Sequence, residues 1–417
     1  MRLGHVVIDI TPLRTGRDFR YVFAARMVSL LGIGVTGVAL AMQVYAMTGS
    51  SLHVSLISLS LGGPLLAGTL AGGVLADRMD RRLLIVGSRA GAAAGFAVLA
   101  VNAFLPEPRL GVIYLSAGLI GLADGLSETA LMAAVPALVG RDKLAAAEAL
   151  TSITTQVGTI AGPSLGGLLV AGPGFGACYT LTCATTVVTT VLLWMLRPLR
   201  PDGGGGEAHP LRSIAEGIRF ARRDPVIGGV ILLDLSGTLM ATPYALFPAF
   251  VAAHYGGDAA TAGLLYSAPA AGALLAALAS GWIGRVRRPG RVLIGAVALW
   301  GLAVAGFGAS AWLPVSLPMA LAFLALSGVG QVVSEVLAGA LIQSRTPDRL
   351  LGRVSSLWLT EATVGPALGN VVAGGLARLA PPGGAAVIGG LACVAGVVTL
   401  AVAIPSLRRA RPLPAAG

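Results

Sequence analysis

Charge is scarce in this 417-residue sequence, at 11% of residues, and aromatic side chains are scarcer still, at 5%. A soluble chain carries roughly 25% charged residues, so an ordinary globular domain is excluded. The 55% hydrophobic content, 59 glycines and a mean hydropathy of +0.84 point to an integral membrane protein. The short alternating segments of about ten residues that build a transmembrane β-barrel are missing. Only three cysteines occur, Cys178, Cys183 and Cys393, each inside an apolar segment. They give neither a disulfide framework nor metal-ligand spacing and read as small packing residues. There is no P-loop, HExxH motif or nucleophile elbow, which argues against an enzyme and against ATP-driven transport by this chain alone. No cofactor and no metal are expected. Residues 1–20 carry basic side chains but no apolar stretch before a small-residue cleavage site, so the first span is expected to serve as an uncleaved signal in a cytoplasmic (inner) membrane protein.

What is present is a series of apolar runs of membrane-crossing length. They divide the chain into spans 20–47, 53–75, 83–105, 110–134, 149–171 and 174–196, then 226–253, 260–284, 291–312, 315–341, 354–379 and 384–405. The expected fold class is all-α integral membrane, twelve transmembrane helices in two pseudo-symmetric six-helix bundles. The bundles are 1–196 and 226–417, joined by a cytoplasmic linker at 197–225. The linker contains four consecutive glycines, Gly203 to Gly206, which make it flexible. After them Leu211, Ile214, Ile218 and Phe220 fall mostly on one side of a helix and Arg212, Glu216, Arg219 and Arg223 elsewhere, which suits a helix lying at the membrane interface. An internal echo supports two related halves: LVGRDKL at 138–144 precedes Gly162-Pro163-Ser164-Leu165-Gly166, and RTPDRL at 345–350 precedes Gly365-Pro366-Ala367-Leu368-Gly369.

The formal net charge of +11 would suggest nucleic acid in a soluble domain. Here its placement explains it, because basic residues bias loops toward the cytoplasm. Arg2, Arg14, Arg17 and Arg20 precede the first span, Arg78, Arg81 and Arg82 follow the second, and Arg141 and Lys143 the fourth. Arg197, Arg200, Arg212, Arg219, Arg222 and Arg223 lie in the middle connection, with Arg285, Arg287, Arg288 and Arg291 after the eighth span. Arg345, Arg349 and Arg353 follow the tenth, and Arg408, Arg409 and Arg411 close the chain. These are 25 of the 29 basic residues; the opposite connections hold Arg109 and Arg378. Both termini are therefore expected in the cytoplasm, and no nucleic-acid partner is implied.

Ionisable groups inside spans are costly and commonly line a cavity. Arg26, Arg89, Asp124, Glu128, Asp234, Glu335 and Glu361 qualify, with a place near a helix end as the alternative for Glu128, Glu335 and Glu361. Asp124 and Glu128 are four apart on one helix face, and two like charges so placed disfavour each other, which suits a proton carrier. Asp124 is the first choice for that role and Glu128 the second. Arg26 is a candidate for an anionic substrate group or for pairing with a carboxylate. Arg89, Asp234 and Glu361 are candidates for substrate contact or ion pairing, and Gln43, Tyr45, Tyr244 and Phe247 for contact or simple packing.

After the second span the chain reads Gly73-Val74-Leu75-Ala76-Asp77-Arg78-Met79-Asp80-Arg81-Arg82. This resembles the G-x-x-x-D-R-x-G-R-R signature of the major facilitator superfamily, departing only at Asp80, where the family usually has Gly. The resemblance implies a gate: Gly73 allows close helix contact, and Asp77 sits at a helix N-terminus or pairs with a basic group, with Arg78, Arg81 and Arg82 nearby, in a contact that breaks when the halves rock. Span five carries Gly158, Gly162, Pro163, Gly166 and Gly167, similar to the G-x-x-x-G-P-x-x-G-G signature of the exporters of that superfamily. Glycines four apart permit close packing and Pro163 removes a backbone donor. Segments 19–29, 102–114, 130–140, 209–220 and 341–358 further resemble the enterobactin exporter subfamily. That resemblance implies proton-driven export of a catecholate siderophore by alternating access, with a small-molecule substrate, protons and the lipid bilayer as partners and a monomeric chain. A multidrug or macrolide efflux pump, and a non-transporting receptor or scaffold that kept the fold, stay open as alternatives.

Overall fold

In hydrocarbon every backbone N–H must be bonded within its own segment, so the apolar runs are obliged to become helices. The computed structural model describes residues 13–14, 17–139, 144–198, 210–279, 281, 286–313 and 316–410. Among them there is no strand. The helices are α1 (Arg17–Thr48), α2 (Ser51–Ala76), α3 (Arg81–Phe104), α4 (Leu110–Val139), α5 (Leu144–Ala171), α6 (Phe175–Trp194), α7 (Pro210–Arg223) and α8 (Pro225–Met240). They continue with α9 (Phe247–His254), α10 (Ala259–Leu278), α11 (Pro289–Ala309), α12 (Ser316–Arg345), α13 (Asp348–Leu376), α14 (Pro382–Ala403) and the short α15 (Pro405–Arg408).

Each of the twelve expected spans falls on helix. Ten stretches among the described residues are long and apolar enough to cross a membrane. The remaining two spans, α5 and α13, are 28 and 29 residues long, ample for a crossing, but more polar. They are the two helices that carry the Gly-Pro echo, at Gly162-Pro163 and Gly365-Pro366.

The seventh span is broken. Helix α8 ends at Met240, Tyr244–Leu246 forms a 3₁₀ turn, and the helix resumes at Phe247. Pro243, which has no N–H to donate, sits in the break. The amide of Ala245, freed from the ladder, donates to Asn370 Oδ1 of α13 at 3.1 Å, so the interruption leaves that buried donor satisfied.

By internal contact the chain forms two units, Met1–Gln43 with Ser60–Gly206, and Val44–Leu59 with Glu207–Gly417. Both are assembled by the same device, glycine beneath a neighbouring backbone. In the first unit a Cβ at Gly162 would stand 2.9 Å from the Gly34 Cα, and one at Gly166 2.9 Å from the Val35 Cα, so α5 lies directly on α1. In the second unit Gly369 of α13 meets the Thr238 carbonyl and Thr242 of α8 in the same way. Gly121 and Gly125 of α4 press against Leu61 and Leu65 of α2, and Gly272 of α10 and Gly328 of α12 press against Ala325 and Pro269. Spans one and five, two and four of the first unit thus pair as seven and eleven, eight and ten do in the second. The structural half of the internal echo is therefore present in the glycine contacts; residues 140–143, within its loop half, and the Gly203–Gly206 run lie outside the described residues.

Helix α7 packs on α13 through Gly217, whose missing side chain admits the Arg353 carbonyl, and through an ion pair between Glu216 and Arg353. Ala221 is buried, whereas Ile218 is 40% exposed.

Candidate functional site

The ionisable residues of the first unit gather on α1, α3 and α4. Arg26 Nη1 donates to Glu128 Oε1 at 2.9 Å, with the two side chains 22% and 45% exposed. Arg89 is buried; its Nε donates to Ser127 Oγ at 3.0 Å and its Nη1 to Ser29 Oγ at 2.6 Å. Asp124 lies within electrostatic range of Arg89 and Glu128. Two carboxylates and two guanidiniums therefore form a charge-balanced group, in which Arg26 takes the carboxylate-pairing role open to it.

Gln43 is 3% exposed and accepts a hydrogen bond from Tyr179 OH at 2.7 Å, so it fastens α1 to α6. Tyr45 is half-buried, in the segment Val44–Leu59 that groups with the second unit.

The motif after α2 is a helix-turn-helix joint. A Cβ at Gly73 would meet only Thr129, at an ordinary 3.8 Å; the close approach to α4 is made by Gly68, under the Leu122 carbonyl, and Gly72, 3.1 Å from Leu126 Cα. Asp77 is exposed beside exposed Arg78. The helix N-terminus is capped instead by Asp80, the residue that departs from the family pattern: its carboxylate accepts from Arg82 N at 2.9 Å, with φ −61°, so glycine is not required there. Arg81 donates to the carbonyls of Ala76 (3.2 Å) and Ala133 (3.0 Å), tying the end of α2 to α4, while the Arg82 guanidinium sits 4.8 Å from the Trp194 ring centroid. The Gly158, Gly162 and Gly166 face is spent on packing: Gly158 abuts Leu30, and the other two abut Gly34 and Val35. Gly167 is buried and Pro163 half-buried, inside a helix that runs through both.

The second unit holds a different arrangement. A cavity of about 300 Å³ is lined by Asp234, Thr238 and Thr242 from α8, Tyr244 from the break, Trp300 from α11, Gln331 and Glu335 from α12, and Trp358 and Glu361 from α13. Asp234 is 5% exposed and accepts a hydrogen bond from Trp358 Nε1 at 3.0 Å. The Asp234 and Glu361 carboxyls lie within hydrogen-bonding reach of each other, and Thr238 within reach of Glu361. Glu361 Oε1 is tucked against Gly365 and is buried without a hydrogen-bond partner. Glu335 accepts from Gln331 Nε2 at 2.9 Å. Among the lining residues there are three carboxyls and no Lys, Arg or His.

Aromatic rings brace this chamber. Tyr244 stacks on Tyr266 at 6.0 Å, Phe247 meets Tyr266 edge-on at 4.9 Å, and Tyr266 OH donates to the Tyr244 carbonyl at 2.9 Å. Phe247 is itself fully buried and is a core residue. Trp300 lies over Gly237 of α8, where any side chain would collide with the indole. Sequence reasoning reached Asp234, Tyr244, Glu335 and Glu361 but missed Trp300, Trp358, Gln331 and Thr238. Three signals were local: Thr238 is four residues from Asp234, Gln331 four from Glu335, and Trp358 three from Glu361, each on a shared helix face.

A family model described as transmembrane secretion effector matches residues 8–414. The enterobactin exporter EntS of Shigella boydii serotype 18 is 37% identical over 412 residues, spanning 98% of this chain and 97% of that protein. The enterobactin exporter of Citrobacter koseri gives the same identity and coverage. Among solved structures the fold is similar to a nucleoside transporter, NupG (TM-score 0.74, 13% identity, 95% of this chain and 100% of that one). It is also similar to a POT family transporter in complex with 5-aminolevulinic acid (TM-score 0.73, 12% identity, 94% of this chain and 97% of that one). At such identities these structures bear on the fold alone. The helical architecture, the family match along nearly the whole chain and relatives of this identity and coverage place the protein among multi-pass membrane transporters, which are not enzymes: the chain belongs to the transmembrane secretion effector family of the major facilitator superfamily.

Proposed function

We propose that this transporter is a proton-coupled exporter, an antiporter, of a catecholate siderophore or similar small polar aromatic compound, working by alternating access across the cytoplasmic membrane as a monomer with both termini in the cytoplasm. Its working parts are the bundles 1–196 and 226–417 joined through 197–225. The substrate reading rests on 37% identity to enterobactin exporters over 98% of the chain. The observation that carries the mechanism is the gathering of the Asp234, Glu335 and Glu361 carboxyls around one cavity whose lining holds no cation. Two carboxyl groups sharing a hydrogen bond hold one proton between them, and in low dielectric two adjacent anions are strongly disfavoured.

Loss of that shared proton leaves repulsion that a bound donor can relieve. The hydroxyls of a neutral catechol are such donors, and Trp300, Trp358 and Tyr244 supply aromatic faces for its ring. Proton and substrate thus compete for the same acceptors, which is the requirement of antiport. The group made by Arg26, Arg89, Asp124 and Glu128 acts alongside it: a proton on Glu128 releases Arg26, so the pair responds to the same gradient from the first unit. Asp77, Arg78, Arg81 and Arg82 serve the gate, with Gly73 beside it, and Gly158, Gly162, Pro163, Gly166 and Gly167 keep the fifth span close to the first.

The test is purified protein in proteoliposomes with an imposed pH gradient, following movement of enterobactin. Asp234→Asn and Glu361→Gln should each remove the dependence on the gradient while the protein remains folded; gradient-driven export in both substituted proteins sinks the carboxyl assignment. Asp124→Asn in the same assay tests the first unit. An acidic cavity with three aromatic walls also favours a second reading, efflux of lipophilic cations by carboxylate and cation–π contact. Transport of tetraphenylphosphonium with no movement of enterobactin would establish that reading in place of the first.

A further inference from the structure

Away from the carboxyl cavity, α7 and the start of α8 border an apolar trough of about 410 Å³, lined by Ile218, Ala221, Ile231, Leu232 and Leu357 together with Arg222. Two glycines line it. At Gly228 a Cβ would stand 2.6 Å from the Ala221 carbonyl oxygen, and at Gly229 one would reach Ile404 at 3.3 Å, so the helices close on each other there and the channel beside them stays unfilled. Ile218 and Leu232 are 40% and 46% exposed, which opens the trough outward.

Pro225 belongs both to this trough and to an adjoining recess, where Arg223, Arg345 and Ser406 stand among apolar residues such as Phe220, Val226 and Leu350. The Arg345 Nε is buried and has no hydrogen-bond partner. The acidic groups near at hand are engaged elsewhere. Asp224, which also lines the recess, caps α8 by accepting from Val226 N (2.8 Å) and Ile227 N (3.2 Å), and Glu216 is paired with Arg353. Arg219, Arg222 and Arg223 are exposed on the same helix, and Arg408 and Arg409 are exposed just after Leu407, which packs on Gly229.

An apolar channel continuous with a basic recess fits a molecule with a hydrocarbon chain and an anionic head. We infer that this is a binding site for an anionic phospholipid, one acyl chain lying in the trough and the phosphate held by Arg222, Arg223 and Arg345. The site secures α7 against α8 and α13 from the bilayer side, and it draws on the chain-burial and basic-residue terms that anchor interfacial helices.

Native mass spectrometry of the full-length protein in detergent tests it, with phosphatidylglycerol and phosphatidylethanolamine of identical acyl chains supplied together. Phosphatidylglycerol should be retained in preference. Arg222→Gln with Arg223→Gln should lower its retention by about fivefold per arginine removed, with phosphatidylethanolamine unchanged. Leu232→Trp, which fills the trough from an exposed position, should lower phosphatidylglycerol retention with every arginine in place. Equal retention of the two lipids by the unsubstituted protein overturns the proposal without recourse to any variant. So does wild-type preference in the folded substituted proteins, or displacement of the lipid by millimolar inorganic phosphate, which would mark a recess for free anions.

Discussion

Trp358 is the most informative single side chain to change, because its indole N–H reaches Asp234 at 3.0 Å across 124 residues of chain, and Asp234 is 5% exposed. A hydrogen bond to a charged group contributes about 1.5–3 kcal/mol, and one between neutral groups about 0.5–1.5 kcal/mol. Of these two carboxyls in the cavity wall Asp234 receives the indole donor, while Glu361 has an oxygen with no hydrogen-bond partner. Asp234 is thus the better placed to hold the negative charge and Glu361 the proton. Trp358→Phe removes the donor but also some packed area, so the clean quantity is the coupling in a cycle of Trp358→Phe, Asp234→Asn and both together. We expect a coupling of about 1.5–3 kcal/mol, the charged-group value. Cys178 and Cys393 are fully buried and Cys183 only partly, so in a Cys183→Ala background a thiol-reactive fluorophore reports global unfolding of the detergent-solubilised protein. On that readout Trp358→Phe should lower the melting temperature by roughly 2–3 °C. In proteoliposomes the same substitution should slow gradient-driven export. A coupling below about 0.5 kcal/mol at every pH refutes the assignment, since a bond that short to a buried anion cannot be worth so little.

The glycine contacts predict a sharp contrast within one bundle. Gly272→Val drives a side chain into the Ala325 carbonyl and should cost about 3 kcal/mol or more, seen as lost folded yield, whereas Gly295→Ala enters open space and should be neutral or stabilising by up to about 1 kcal/mol. For the Arg26–Glu128 pair, half-exposed on the carboxylate side, a double-mutant cycle on melting should give a coupling of only about 0.5–1 kcal/mol; several kcal/mol would mean the pair is far less solvated than its geometry indicates. Asp258 caps α10, and the Thr261 hydroxyl, then the Thr261 and Ala260 amides, hold its carboxyl below the usual carboxylate value. Because the folded value is the lower one, this stabilisation is complete above the unfolded carboxylate range and is lost as pH falls through the folded value. Melting of Asp258→Ala should therefore differ from wild type at neutral pH, by about 1 kcal/mol for a cap, and converge with it in strong acid.

How much of this was legible depended on whether the signal was local. Helix count and position followed from apolar runs, since a run of membrane-crossing length in lipid has one backbone solution. The Gly158, Gly162 and Gly166 face was equally legible, because a four-residue period places small residues on one side of a helix regardless of what lies opposite. The break in the seventh span was not: Pro243 and Pro248 were visible, but the stable interruption depends on Asn370 of α13 supplying the bond that Ala245 lost, 125 residues away. The departure at Asp80, where the family usually has Gly, is a helix cap, a substitution of one way of ending a turn for another, which the motif alone does not reveal.

The acids divide along the same line, and the division carries the functional argument. Asp124 and Glu128 announce themselves by spacing, yet spacing is silent about Arg26, 102 residues from Glu128, and about Arg89, which balance their charge. Asp234, Glu335 and Glu361 lie on three helices and carry no mutual pattern, yet they line one chamber whose walls hold no cation. The glycine contacts repeat between the halves and the charges do not: spans one and five pair as seven and eleven do, but Asp124 and Glu128 of the first unit have Arg89 and Arg26 close by, and the ionisable residues lining the second unit's cavity are carboxyls alone. Backbone proximity is what makes a six-helix bundle, and it tolerates a repeat. A proton site needs charge left over, which one of two similarly packed bundles obtains by differing from the other. On this reasoning, placing a lysine or arginine at Gln331, next to Glu335 on the cavity wall, should do to the second unit what Arg26 does to the first. Gln331→Arg should abolish gradient-driven export in proteoliposomes with little loss of folded protein; normal gradient dependence in that variant would mean the uncompensated carboxyls are not where the proton is carried.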